Sequence, residues 1–201
     1  MHRRTLIRRS SLLLPWLLAA CGGGERHDFP PLRYGYLEPL RLNVAAVKIE
    51  QRFVSSGASP DVSQHDPVPP VQALRAMAED RLQALGSSGQ AVFIIQDASL
   101  TRRGDTITGT MAVRLEIATV TGSNGGFAEA RASRVRTGSI DDLPGVLYDM
   151  TKQMMDAMNV EFEFQLRRSL RSWLLSPGAP ATPVEQQPLT PPAPPVRPLR
   201  P

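Results

Sequence analysis

Between residues 41 and 175 the apolar positions fall into six patterned runs. In Leu42–Val54, Val44, Val47, Ile49 and Phe53 stand at strand spacing, and the alternation slips at Ala45-Ala46, where a bulge fits. Ser55–Asp66 is polar and reads as a loop. After Pro67, Pro69 and Pro70, the residues Val71, Leu74, Ala78, Leu82 and Leu85 recur at three and four. That spacing puts one stripe on an amphipathic helix, with proline in its first turn and Gly86 at its C-terminal cap. Ala91–Leu100 contains Val92-Phe93-Ile94-Ile95, a strand covered on both faces.

Arg103-Gly104-Asp105 is a hairpin signal. Beyond it, Thr106–Val120 alternates, with Ile107, Met111, Val113, Leu115 and Ile117 on one face and Thr108, Thr110, Arg114 and Glu116 on the other. Gly122–Gly126 is a second turn signal. Phe127–Thr137 sets Ala128, Ala130 and Ala132 against Glu129, Arg131 and Ser133, and the small inner residues let a helix come close.

The last run begins at Asp141-Asp142, with Asp141 as the expected N-cap, and extends to about Leu175. Met150, Met154, Met158, Phe162, Leu166, Leu170 and Leu174 stand four apart, a ridge that drifts around a helix of 3.6 residues per turn. An unbroken helix of this length, about 50 Å, exceeds so small a domain. A break or overhang near Asn159–Glu163 is therefore expected. The order strand–helix–strand–strand–strand–helix predicts an α+β two-layer sandwich: a four-stranded, mostly antiparallel sheet with two helices on one face. The other face is expected in solvent, with Arg114, Glu116, Glu129 and Arg131 as cross-strand charges.

The segments outside this body have a different character. Arg3, Arg4, Arg8 and Arg9 precede a short apolar run, Leu12–Leu18, and then small residues, as in a secretory leader of residues 1–20. The run is far too short for a mature membrane span. Residues 21–40, with Gly22-Gly23-Gly24 and Pro30, Pro31 and Pro39, read as a linker, and Tyr34 and Tyr36 are its docking side chains. Ten of the residues 176–201 are proline, which reads as a disordered or polyproline II tail. The net charge of +4 is misleading. The leader alone carries four arginines, and the tail another net +1 from Arg197, Arg200 and Glu185. About −1 is left for residues 21–175, too little positive charge for a nucleic-acid footprint.

Chemistry-bearing clusters are sparse. The lone Cys21 excludes a disulfide framework and a cysteine-rich metal site. His2 and His27 flank the body, and only His65 lies in it, beside Asp61 and Asp66 in a polar loop that reads as solvated. No Gly-x-Ser-x-Gly, Gly-x-Gly-x-x-Gly or Walker loop occurs. No catalytic set, metal or cofactor is expected. The unusual feature is the ridge: Met154, Met158, Phe162, Leu166, Leu170 and Trp173 are candidate partner- or lipid-contacting residues, with core packing as the plainer reading. Arg167, Arg168 and Arg171 beside them are suited to anionic headgroups.

Leu18-Ala19-Ala20-Cys21 resembles the bacterial lipobox. The resemblance implies cleavage between Ala20 and Cys21, acylation of Cys21, and anchoring of the mature chain in a bilayer. A glycine rather than an aspartate after the cysteine implies the periplasmic face of the outer membrane. Arg3-Arg4-Thr5-Leu6-Ile7 also resembles a twin-arginine export signal, though a generic basic leader explains it. In architecture, residues 41–175 resemble the auxiliary lipoproteins of ABC-type lipid and solute transport systems. That resemblance implies a non-enzymatic accessory role and an envelope protein as partner. The alternatives are a periplasmic enzyme acting on wall or lipid, and a structural lipoprotein contacting the wall through its tail.

Overall fold

A computed structural model describes residues 28–119 and 124–176, with the side chain of Asn124 left aside. The expected leader, Cys21, residues 22–27, residues 120–123 at the second turn and the tail after Ser176 lie outside the described residues. Six strands and two helices follow in order: β1 (Leu40–Leu42), β2 (Ala46–Gln51), α1 (Pro70–Arg81), β3 (Leu82–Ala84), β4 (Gln90–Arg103), β5 (Thr106–Ala118), β6 (Asn124–Thr137) and α2 (Leu143–Ser169). The main sheet runs β2-β4-β5-β6, parallel between β2 and β4 and antiparallel elsewhere. The expected two-layer α+β sandwich is what the chain forms, with a small parallel sheet of β1 and β3 added to it.

That addition corrects two boundaries. The expected strand 42–54 is divided, because Asn43–Ala45 leave the ladder between β1 and β2. The expected helix to Leu85 ends at Arg81, because Leu82–Ala84 pair with Leu40–Leu42. Gly86 is not a helix cap. A Cβ there would stand 2.5 Å from the backbone of Asn43 and Val44, so it is the absence of a side chain that lets the two segments close.

On the helix side, Phe93, Ile95, Ala98, Leu100, Met111, Val113, Leu115 and the three alanines of β6 are buried. A bulge between Ile95 and Asp97 shifts the alternation of β4, so that Ala98 and Leu100 return to the core. On the open face Arg114 meets Glu129 at 3.0 Å and Glu116 at 2.7 Å, its guanidinium 3.9 Å from the centre of the Phe127 ring.

The second helix also departs from expectation. It is continuous for 27 residues through Asn159–Glu163, where a break was expected, and it stops about two turns beyond that point, at Ser169. Two features make this length tolerable. β5 and β6 are themselves 13 and 14 residues long, so the sheet gives the helix a floor for its whole length. The alanines let α2 lie close to β6, its main neighbour. The N-cap is Asp142, whose carboxylate accepts from the Gly145 amide at 3.1 Å, while Asp141 accepts from Ser139 instead. After Ser169 a 3₁₀ turn (Arg171–Trp173) brings Leu174 against Leu42 as an antiparallel bridge.

Residues 28–39 form a strap along the two helices. Phe29 stacks on Tyr148 with ring centroids 5.2 Å apart, and the Tyr148 hydroxyl donates to the Pro30 carbonyl at 2.9 Å. Tyr34 is buried, and its amide donates to Asp80 at 2.7 Å. Tyr36, also expected to dock, is exposed.

Candidate functional site

The structure places the six ridge residues inside the protein. Met154, Met158, Phe162, Leu166 and Leu170 are fully buried, and Phe162 meets Phe93 edge-on at 5.5 Å. Trp173 is partly buried, its indole N–H donating to the Gly125 carbonyl at 3.1 Å. These residues are core, not a contact surface. The reason is geometric: the sheet is as long as the helix, so the distal half that was expected to overhang has Gly125 and Gly126 of β6 beneath it. Cys21 and the cleavage site at Ala20 lie outside the described residues.

The titratable groups of the 55–66 loop do not converge. Asp61 accepts from the Ser55 hydroxyl and from the amides of Ser56 and Ser63, each at 2.9 Å. Burial pushes its carboxyl up, but the hydrogen bonds from Ser55, Ser63 and Ser56 win and hold it down at about 2. Asp61 thereby organises a loop that continues the sheet, with Val62 N–H on Leu100 O at 2.8 Å and Leu100 N–H on the Ser63 hydroxyl at 2.9 Å. Asp66 points elsewhere, into the core side, where it accepts from Thr151 of α2 at 2.6 Å and from the Val68 amide at 3.0 Å. Burial pushes its carboxyl up to about 6, against the pull of those two bonds. His65 between them is exposed. Among the described residues no three His, Cys, Asp or Glu side chains gather to hold a metal.

One buried charge was not legible as such. Arg81, at the end of α1, takes a core position on the helix stripe and is 1% exposed. Its guanidinium donates to Glu163 at 2.6 Å, to the Asn159 side chain at 3.1 Å, and to the Asn159 and Glu38 carbonyls at 3.3 Å each. Burial pushes the Glu163 carboxyl up, but hydrogen bonds from Arg81 and Arg167 bring it below the usual range.

Next to this network, between β1 and the end of α2, lies an open groove of about 450 Å³. Glu38, Leu40, Arg41, Arg167, Arg171 and Leu174 are among the residues that line it. Arg167 is held by Glu163 at 2.8 Å and approaches Glu38 at 4.0 Å. Arg41 and Arg171 form no ion pair among the described residues. Two unpaired cations thus border this concavity, and Val160 and Phe164 of α2 are exposed apolar side chains. Sequence reading singled out Arg167 and Arg171. It missed Arg41, which only the β1–Leu174 bridge brings to them, and Val160 and Phe164, which fall off the four-residue ridge.

No family model matches the chain, and no curated protein matches it. Among solved structures it is similar to a minor lipoprotein from Acinetobacter baumannii, with 11% identity over 68% of this chain and 99% of that one, at a TM-score of 0.35. A protein of Caulobacter crescentus assigned as a lipoprotein shares 14% identity over 59% of this chain and 85% of its own, at 0.31. A lipoprotein from Neisseria meningitidis shares 12% over 59% and 99%, at 0.27. Among the described residues no helix is long and apolar enough to cross a membrane.

Proposed function

We propose that this chain is a lipid-anchored lipoprotein of the cell envelope that acts as a non-enzymatic accessory or binding component of an envelope machine. The observation that carries the reading is Leu18-Ala19-Ala20-Cys21 behind an arginine-rich leader with a short apolar run. The Cys21 thiol carries acyl chains and cleavage before it frees the α-amine, each buried CH₂ contributing about 0.8 kcal/mol, and two or more chains hold a protein stably at a bilayer. Gly22 after the cysteine favours the inner leaflet of the outer membrane, facing the periplasm. The disposition of the body supports an accessory role over chemistry. Its buried carboxylates and its buried guanidinium are taken up by structural partners: Asp61 by loop amides, Asp66 by Thr151, and Arg81 by Glu163 and Asn159.

Labelling of cells with radioactive palmitate tests the anchor. The wild-type chain is expected to incorporate label and to sediment with membranes, and Cys21→Ala to do neither in processed form. An unlabelled wild-type chain retaining its leader overturns the reading. Crosslinking in cells followed by mass spectrometry, with Cys21→Ala as the control, tests the accessory role. The expected product is an envelope protein joined to the wild type alone, and recovery of the same products from both chains counts against a membrane-dependent partner.

A further inference from the structure

The outward stripe of α2 changes character along its length. Val160 and Phe164, one turn apart, are 72% and 55% exposed. Four residues beyond Phe164 the same stripe continues in Arg168, and Arg171 follows in the 3₁₀ turn after the helix. Arg41 and Arg167 border the groove beside them. Of the acidic side chains nearby, Glu163 is engaged by Arg81 and Arg167, Glu161 by Gln165 at 2.8 Å, and Glu38 stands 4.0 Å from Arg167; Asp156, one turn before Val160, is exposed and unpaired among the described residues and bounds the patch on that side. Arg41, Arg168 and Arg171 form no ion pair among the described residues. Two exposed apolar side chains rimmed by unneutralised guanidinium groups have the chemistry of an interfacial contact with anionic lipid.

The length of the tether fits the same geometry. Phe29 and Pro30 are held against Tyr148, so the chain before Asp28 leaves from the first turns of α2. Seven residues separate Cys21 from Asp28, and they span at most about 25 Å when extended. From Tyr148 to Phe164 the helix advances about 24 Å. An acylated Cys21 and the Phe164 end of α2 can therefore meet one bilayer surface. Once the tether is inserted, the face is held at a high effective concentration next to that surface.

We propose that the outer face of α2 from Val160 to Arg168, together with Arg171 of the following turn and Arg41, docks on the anionic phospholipid surface of the membrane that holds Cys21. Val160 and Phe164 enter the headgroup–acyl boundary, and the groove between Arg41 and Arg171 receives a lipid phosphate. The proposal rests on the lipid-anchor reading above.

The test uses the mature, acylated chain reconstituted in vesicles. With Cys21 acylated, a Val160→Cys variant carries one free thiol, to which an environment-sensitive fluorophore is attached. In phosphatidylglycerol-containing vesicles the emission is expected to shift to the blue and to be quenched by spin-labelled lipid. In pure phosphatidylcholine both effects are expected to weaken. Removing Arg41, Arg168 or Arg171 is expected to lower the docked-to-undocked ratio about fivefold each, and reversing all three to glutamate to abolish docking. Equal emission in both lipids, or indifference to charge reversal, overturns the proposal. So does a probe that is shielded in native membranes and exposed in phosphatidylglycerol vesicles, because a protein then covers the face. Vesicle flotation and intact mass are read in parallel. A chain that floats with an exposed probe fails this proposal alone, and one that is unacylated and does not float fails the anchor reading as well.

Discussion

Arg81 Nη2 stands 2.6 Å from Glu163 Oε2, and this contact ties the end of α1 to the last third of α2 and, through the Glu38 carbonyl, to the strap. The two partners are not equivalent. The Arg81 side chain is 2% exposed and the Glu163 side chain 31%. Removing Glu163 leaves a guanidinium in the core without a counter-ion, whereas removing Arg81 leaves Glu163 with Arg167 and water. Glu163→Ala is expected to cost about 3 kcal/mol, and Arg81→Met about 1–2 kcal/mol for the hydrogen bonds left unmade. Urea unfolding of both variants measures the asymmetry, and equal losses would contradict it. Because the Glu163 carboxyl is depressed below 4.5, the stability it contributes is present above that pH and falls away in acid.

Asp66 has the opposite sign. Its folded-state value, about 6, lies above the ordinary 3.8, so folding favours the protonated acid. Its contribution is fully present below about pH 4 and is lost as pH rises through 6. Asp66→Asn retains polar atoms for Thr151 and the Val68 amide without the charge. The variant is expected to match the wild type near pH 4 and to exceed it by about 2 kcal/mol at pH 8, a figure reduced for solvent screening. Calorimetry at pH 4, 6 and 8 reads the difference. A variant less stable than wild type at pH 8 would show that the carboxylate is needed as such.

The four-stranded sheet and the buried face of β5 were legible because period-two alternation reports burial directly, as Ile107 to Ile117 does, and the apolar run Val92–Ile95 marked β4. What was not legible depended on partners distant in sequence. Leu82 and Leu85 continue the stripe of α1 at helical spacing, and only pairing with β1 makes Leu82 a strand residue. Arg81 sits where an apolar residue would be expected, and nothing local shows that Asn159 and Glu163 wait for it. The ridge on α2 was found correctly, but whether a ridge is core or contact depends on what lies under it. Two glycines and three alanines of β6 settle that in favour of core.

Two glycines separate a backbone constraint from a side-chain one. At Gly86 a Cβ would meet the backbone of Asn43 and Val44 at 2.5 Å, and neither can yield without opening the β1–β3 sheet. At Gly109 the nearest atoms are the end of the Met154 side chain, at 2.6 and 2.7 Å, which can take another rotamer. Gly86→Ala is expected to cost about 3 kcal/mol, within the range for overpacking against a fixed neighbour, and Gly109→Ala about 1 kcal/mol. Similar thermal shifts for the two would refute this distinction.

The carboxyl-terminal closure gives a sharper boundary than α2 itself. Leu170 packs under Gly126, Trp173 accepts the Asn43 amide on its carbonyl at 2.8 Å and donates its indole to Gly125, and the Leu175 amide reaches Arg41 O at 2.9 Å. Ending the chain after Ser176 removes none of these contacts, and ending it after Ser169 removes all of them and uncovers Leu42, now fully buried. The first truncation is expected to leave the melting temperature within a degree or two. The second loses the burial of Leu170 and the closing hydrogen bonds, together about 4 kcal/mol or more. Trp173 and Trp16 are the only tryptophans, so the fluorescence of a chain that begins at Cys21 reports this closure alone. Its unfolding transition should coincide with that of the backbone followed by circular dichroism. A tryptophan signal lost well before the backbone signal would mean that the closure is a separate, weaker unit.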